Sequence, residues 1–411
     1  MILNKLKRKI KEFQRWKARH RVLSWPSYGK WVEEVHNDKS HFVPFTDCPY
    51  QRQEGDVKIF AYYLTQFHAI PENDNAHGKG FTEWTNVMSA QPHFVGHYQP
   101  KVPYDLGFYN LLMSGVMERQ VEIAKAYGIY GFCFYYYWFS GKKVLEKPLE
   151  YWLNHKEIDF HYHFCWANEN WSKLWDGGNK ELIFEQKLED GDAERFFADL
   201  LPYFKDERYE KIDNKPILMI YRPSLFPHDK FLQFINALQI LARQNGFKGL
   251  FLTCSPLGME KENPIEWDLD ALIEFPPNGI LAKCKEICTI KRLIPSTNFA
   301  IYDMSEFISN QLYLSKTDYP VFRACFPSWD NTPRKAWSRG CCFMLSDEQF
   351  STWLTDIIQW TKDNHPLSEQ YVYINAWNEW GEGAILEPTL RYGYKYLNIV
   401  KECLEMYSIA E

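Results

Sequence analysis

Eight short apolar runs, each bounded by glycine or proline and most followed by a stretch of helical periodicity, constrain this chain more than any other feature. They fall at residues 57–64, 129–137, 160–167, 215–222, 249–255, 271–275, 321–326 and 371–377. β-Branched and aromatic side chains dominate them, and each is too short for a helix. Helical spacing between them is clearest at 111–127, 190–204, 229–244, 347–362 and 391–407, weaker at 145–154 and 303–314, and not readable after 249–255. Strands alternating with helices pair in parallel, and near-continuous apolar strands are covered on both faces. Eight of them predict an α/β fold, a closed (β/α)8 TIM barrel over residues 57–408. In such a barrel the ligand site lies at the C-terminal ends of the strands, so the residues just after each run are the candidates.

Ahead of the barrel, residues 1–56 read as an N-terminal extension. Ile2, Leu3, Leu6, Ile10, Phe13 and Trp16 recur at helical spacing among nine Lys or Arg and one Glu in residues 1–21. This predicts a basic amphipathic helix suited to an anionic membrane surface. Residues 22–56 show no period and read as an irregular lead-in. The first 21 residues carry +8, so against a total of -6 the remainder carries -14. An acidic barrel argues against nucleic acid as a partner. No secretory h-region and no apolar run long enough to span a bilayer are present, which points to a cytoplasmic protein, at the inner membrane face if the basic helix attaches. Cys133, Cys165, Cys254 and Cys325 sit inside apolar strands and read as buried thiols rather than a disulfide framework. Cys284 with Cys288, and Cys341 with Cys342, lack the second pair of a zinc site, so no metal or cofactor is expected.

Aromatic residues make up 17% of the chain, with 16 Trp, and many follow the runs. Sugars favour such rings, since a pyranose lays its C–H face on an indole while its hydroxyls seek Asn, Asp, Glu and Tyr. After the first run come Tyr63 and His68, then a long insertion holding Glu83 and Trp84. The second run ends in Tyr137 and Trp138. The third ends in Cys165-Trp-Ala-Asn-Glu-Asn-Trp171, bringing Trp166, Asn168, Glu169, Asn170 and Trp171, followed by Trp175 and Asp176. His161 and His163 precede that end and read as structural. Tyr221 follows the fourth run. Arg334 follows the seventh and either binds an anionic substrate group or orients a catalytic carboxylate. The eighth run leads into Asn375-Ala-Trp-Asn-Glu-Trp-Gly-Glu-Gly383, with Trp377, Asn378 and Trp380 around two glutamates. Glu379 and Glu382 are three apart, which brings them together only if the chain curls, as Gly381 and Gly383 permit. Two carboxylates that close repel, so one holds a proton that the other has lost.

Six ordered segments carry a resemblance: Gly80-Phe-Thr-Glu-Trp-Thr-Asn86, Gly96-His-Tyr-Gln-Pro100, Asp105-Leu-Gly-Phe-Tyr109, Tyr127-Gly-Ile-Tyr-Gly-Phe-Cys133, Trp166-Ala-Asn-Glu-Asn-Trp171 and Asn375 to Gly383. Together they resemble the WbsX family of bacterial surface-polysaccharide clusters, whose domain is similar to glycoside hydrolase family 99. The resemblance implies a barrel acting on glycosidic bonds of an oligo- or polysaccharide, lipid-linked where assembly takes place on a membrane. In family 99 retaining endo-α-mannosidases, one Glu of a Glu-Trp-x-Glu motif deprotonates the substrate 2-hydroxyl and the other serves as acid and then base. Carried over by motif, Glu379 takes the first role and Glu382 the second. The middle position is Gly381 here and His in the hydrolases. Three functions compete on these grounds: bond formation or rearrangement in O-antigen or capsule assembly, endo-hydrolysis, and glycan binding without catalysis.

Overall fold

The structure, a computed structural model, describes residues 25–172, 182–256, 263–290, 292–293, 299–335 and 340–408, with residues 9, 10 and 13. Its core is a parallel sheet whose strands are β1 (Lys58–Tyr63), β2 (Gly131–Phe139), β3 (His161–Trp166), β4 (Lys215–Ile220), β5 (Phe251–Cys254), β6 (Ala271–Ile273), β7 in two pieces (Val321–Phe322 and Ala324–Cys325) and β8 (Tyr371–Ile374). Each strand pairs with the next in chain order through β6. The first piece of β7 pairs with β6 and the second with β8, which in turn pairs with β1. The break at Arg323 thus lets one strand change neighbours and close the ring, as the eight runs predict.

Helices return the chain after most strands: Val116–Ala126, Lys147–Asn154, Asp192–Phe204, His228–Gln244, Ser305–Ser309, Asp347–Asn364 and Lys395–Ser408. After β5 the described residues hold only the short 3-10 turn Pro264–Trp267, in keeping with the missing period there. Ser346 caps the sixth of these helices by accepting from Gln349 N while Gln349 bonds back, closing a capping box. The lead-in is not irregular throughout. Trp25–Asn37 is helical, with Val35 buried and the His36 ring edge-on to Tyr98, contacts with the barrel that no local period reports. Most of the basic stretch 1–21 lies outside the described residues. Among the described residues no helix is long and apolar enough to cross a membrane.

Alternation along the strands decides which side chains reach the barrel interior. On β2, Tyr136 stacks on Phe164 and meets Phe196 edge-on, and Trp138 also meets Phe196, a residue of the helix Asp192–Phe204. Both therefore face outward, and Tyr135, Tyr137 and Phe139 face the mouth. Trp166 on β3 faces outward as well, fully buried against Phe196, Phe226 and Phe234. Trp166→Ala should therefore lower unfolding free energy by about 3–5 kcal/mol, as large aromatic deletions in cores do. Denaturant midpoints of the two proteins check this, and a loss below about 1 kcal/mol would contradict the outer-layer placement.

Candidate active site

The turn after β8 curls as its glycines permit. Asn378 and Glu379 pair with Ala384 and Ile385, and Trp380–Glu382 form one turn of 3-10 helix ended by Gly383 at φ +61°. In a 3-10 turn residues three apart lie on one side, which brings Glu379 and Glu382 together. A positive φ suits Gly383, and a Cβ there would also lie 3.0 Å from the Asp330 carbonyl.

Arg334 organises the acidic groups. It lies in the loop between two paired segments, Trp329–Asp330 and Cys341–Met344. Its Nε donates to Glu83 Oε1 at 2.7 Å, Nη2 lies 2.9 Å from Glu379 Oε2, and Nη1 lies 3.0 Å from Glu382 Oε1. One planar guanidinium holds three carboxylates from three parts of the chain. Glu83 is sealed, Glu379 is 5% exposed and Glu382 is 19% exposed, so Glu382 is the most open to a ligand. Burial pushes Glu379 well above the usual carboxylate range; Arg334 opposes the shift, and Glu382 and Glu83 add to it. Burial pulls Arg334 down, but the three carboxylates outweigh it and hold the guanidinium charged.

The loop bearing Arg334 is itself braced. Asp330 accepts from Gln99 Nε2 at 2.5 Å and from Thr332 Oγ1 at 2.6 Å, and pairs with His97 Nε2 at 2.6 Å. His97 Nδ1 accepts from the His93 amide at 2.9 Å, which leaves Nε2 as the protonated nitrogen facing Asp330. Cys342 lies close enough to make a trio of metal-ligand types with His97 and Asp330. Hydrogen bonds already occupy the His97 nitrogens and the Asp330 oxygens, so the trio serves as a brace. Lys101 Nζ and Ser328 Oγ both donate to Gly383 O, tying this brace to the glutamate turn.

Beside Glu379, Glu382 and Arg334 lies a cavity of about 150 Å³, room for roughly ten waters and so for a ring rather than a single ion. Of the sequence-predicted residues, Tyr137, Glu169, Asn170, Trp171, Tyr221, Arg334, Glu379 and Glu382 line it. Tyr137 and Trp171 pack at 5.2 Å between ring centres, and Gln66 donates to the Tyr137 hydroxyl. Glu169 takes a hydrogen bond from Arg222 Nη1 at 2.9 Å, and burial raises its pKa against that pull.

Other predicted residues stand behind the cleft. Tyr63 faces outward and donates to Gln120 on the helix Val116–Ala126. Trp138, Trp166 and Trp377 also face the outer layer, Trp377 against Phe132. Asn168 bonds both ways with the Arg222 backbone and ties the end of β3 to the end of β4. Asn378 does the same with Leu64 after β1. Trp84 packs on Trp380, and Trp380 donates to Glu387, which also accepts from Tyr109 and Gln120. Burial pushes Glu387 up to about 7. His68 is fully buried, with its pKa pulled down to about 4 by burial, and Glu83 reaches the site by pairing with Arg334. His163 is a core residue within 3.1 Å of the Tyr373 hydroxyl, while His161 stacks on Tyr130. Trp175 and Asp176 lie outside the described residues. Gln66 and Phe275, which follow the first and sixth runs, line the cavity too, as do Tyr135 and Phe139, which were not singled out from sequence. Alternation along β2 was the signal for two of these, since it puts 135, 137 and 139 on one face.

Fold and site together define a (β/α)8 barrel with paired glutamates and an aromatic cleft at the strand ends. The chain belongs to the family described as glycosyltransferase WbsX, whose model matches residues 59–400. An uncharacterized protein, WxcX, of Xanthomonas campestris pv. campestris (strain B100) is 37% identical over 347 residues, 84% of this chain and 49% of its own length. The chain thus spans about half the length of the curated relatives it matches. In fold it is similar to a glycoside hydrolase-like protein (TM-score 0.54, 15% identity, 89% of this chain and 98% of that one). It is similar also to the GH99 endo-alpha-mannosidase from Bacteroides thetaiotaomicron (TM-score 0.54, 12% identity, 85% and 97%).

Deleting the shared cation makes the cluster pH-sensitive. In Arg334→Met, Glu379 loses the counter-charge that opposes its shift, raising its folded pKa further above the unfolded one. The folded chain then binds more protons than the unfolded chain, and stability falls as pH rises from about 4 upward. Urea midpoints should decline more steeply with pH in the variant than in the wild type, with a loss of about 3–5 kcal/mol at pH 8. A pH-independent difference would contradict the ion cluster.

Proposed function

We propose that this chain makes or rearranges glycosidic bonds by retaining chemistry in the assembly of a bacterial surface polysaccharide of the O-antigen or capsule kind. The observation that carries the reading is the pairing of Glu379 and Glu382 on one guanidinium at the wall of a ring-sized cleft. A buried carboxylate with a raised pKa is a stronger base than an exposed one once it has lost its proton. Glu379 then suits the role the family 99 resemblance implies, removing the proton of the substrate 2-hydroxyl as that oxygen attacks C1. Glu382, the more open of the two, gives a proton to the departing oxygen. In the second half an acceptor hydroxyl opens the 1,2-anhydro sugar, Glu382 takes the acceptor's proton and Glu379 returns its own to the 2-oxygen. Atoms balance whether the acceptor is a sugar or water.

A hydrolase reading has one specific support, the fold shared with an endo-alpha-mannosidase. Incubation with a lipid-linked oligosaccharide, with and without an acceptor, separates the two: longer products mark transfer, and new reducing ends in water mark hydrolysis. Glu379→Gln and Glu382→Gln should each lower turnover by roughly 10²–10⁴ while leaving the fold intact. Turnover near wild type in either variant would remove the assignment, and glycan binding without turnover by the wild-type chain would favour a binding module.

For the basic stretch 1–21 we propose contact with an anionic membrane surface, placing the barrel where a lipid-linked substrate would be met. The full chain should float with anionic liposomes and a chain lacking residues 1–21 should not. Equal flotation would remove the contact.

A further inference from the structure

Gly381 stands between the two glutamates, and its backbone does not require glycine, since its φ lies outside the left-handed region. Space requires it. An ideal Cβ built on Gly381 would lie 1.8 Å from Glu83 Oε1 and 2.8 Å from Arg334 Nε, both closer than real Cβ atoms approach. The volume that a side chain would fill is occupied by an ion pair delivered from two other loops. Glu83 opens the helix Glu83–Ser89 in the insertion after β1, and Arg334 comes from the loop after β7. Glu83 Oε1 accepts from Arg334 Nε at 2.7 Å, and Glu83 does not line the cavity.

We infer that Glu83 is a positioning residue, which holds the Arg334 guanidinium against Glu379 and Glu382 in the slot left open by Gly381 and so sets the charge state of Glu379. The inference rests on the reading of Glu379 and Glu382 as the reacting carboxylates. The groups that face Glu379 are Arg334 from the β7 loop, Glu382 from its own turn, Glu83 from the insertion, and the Tyr135 and Tyr137 hydroxyls from β2. Three carboxylates share one cation, so each weakens the hold of Arg334 on the others. Glu83 thereby keeps Glu379 easier to protonate and a stronger base than a private Arg–Glu pair would allow. Three of the five N–H donors of Arg334 are committed to carboxylates, so the guanidinium is held in place on three sides.

Two experiments test this, one of which needs no substrate. Carboxyl-13C glutamate labelling follows the titration of Glu379, its signal identified by loss in Glu379→Gln. In Glu83→Gln the midpoint should move to lower pH, because a repelling charge has gone and Arg334 is shared by two carboxylates instead of three. An unchanged or higher midpoint overturns the inference. The second is a double-mutant cycle read in both Tm and kcat/KM. Gly381→Ala should cost roughly ten-fold or more in kcat/KM when Glu83 is present and far less when Glu83→Ala has emptied the slot, with the Tm losses following the same order. Equal costs in both backgrounds overturn it. If the titration moves as expected while Glu379→Gln keeps full turnover, the catalytic reading fails and the positioning role of Glu83 stands.

Discussion

One buried guanidinium sharing its donors among three carboxylates is the interaction on which the site depends. Placing Glu83, Glu379 and Glu382 together without Arg334 would set several like charges in a poorly solvated corner, at a cost that grows as each is buried. With Arg334 present, burial first and the two neighbouring carboxylates after it still outweigh the guanidinium at Glu379, whose pKa stays raised. The protein therefore stores, at the mouth of its barrel, a carboxylate that gives up its proton less readily than an ordinary one. A group of that kind moves protons near neutral pH.

Everything around the cluster fixes its geometry. Asp330, held well below the usual carboxylate range although burial alone would raise it, ties the Arg334 loop to His97 and Lys101. Glu387 collects three donors beneath Trp380 and supports the glutamate turn from below. Asn378 and Asn168 stitch neighbouring strand ends together through backbone bonds. Several polar residues that look in sequence like ligands for hydroxyl groups are thus committed to the scaffold, while the two glutamates, Glu169, Asn170, Tyr137, Trp171 and Tyr221 line the cleft.

Much of this was legible in the sequence because strands report their own orientation. Eight apolar runs and their helices gave the barrel, and the β8 turn could be placed at its mouth before any coordinates. The errors share a cause. Tyr63, Trp138, Trp166 and Trp377 were counted as ligand-facing by residue type, whereas position on the strand sends them outward. The role of Glu83 was not legible, because its partner Arg334 lies 251 residues away and no local pattern links them. Likewise, sequence left Arg334 open between binding an anion and orienting a carboxylate, and no local pattern reports the three carboxylates it contacts. The motif Gly96-His-Tyr-Gln-Pro100 looked like a family signature without a task; His97 and Gln99 now have one, on Asp330.

The central claim is that Glu379 and Glu382 face one sugar-sized hollow under the control of Arg334. A crystal structure of the chain soaked with a cationic sugar mimic tests it most directly. The account predicts a ring seated against Trp171 and Tyr137, its ammonium within hydrogen-bond distance of Glu379 or Glu382, and Arg334 still bound to all three carboxylates. A ring bound elsewhere, or a cleft in which the two glutamates point apart, would contradict it.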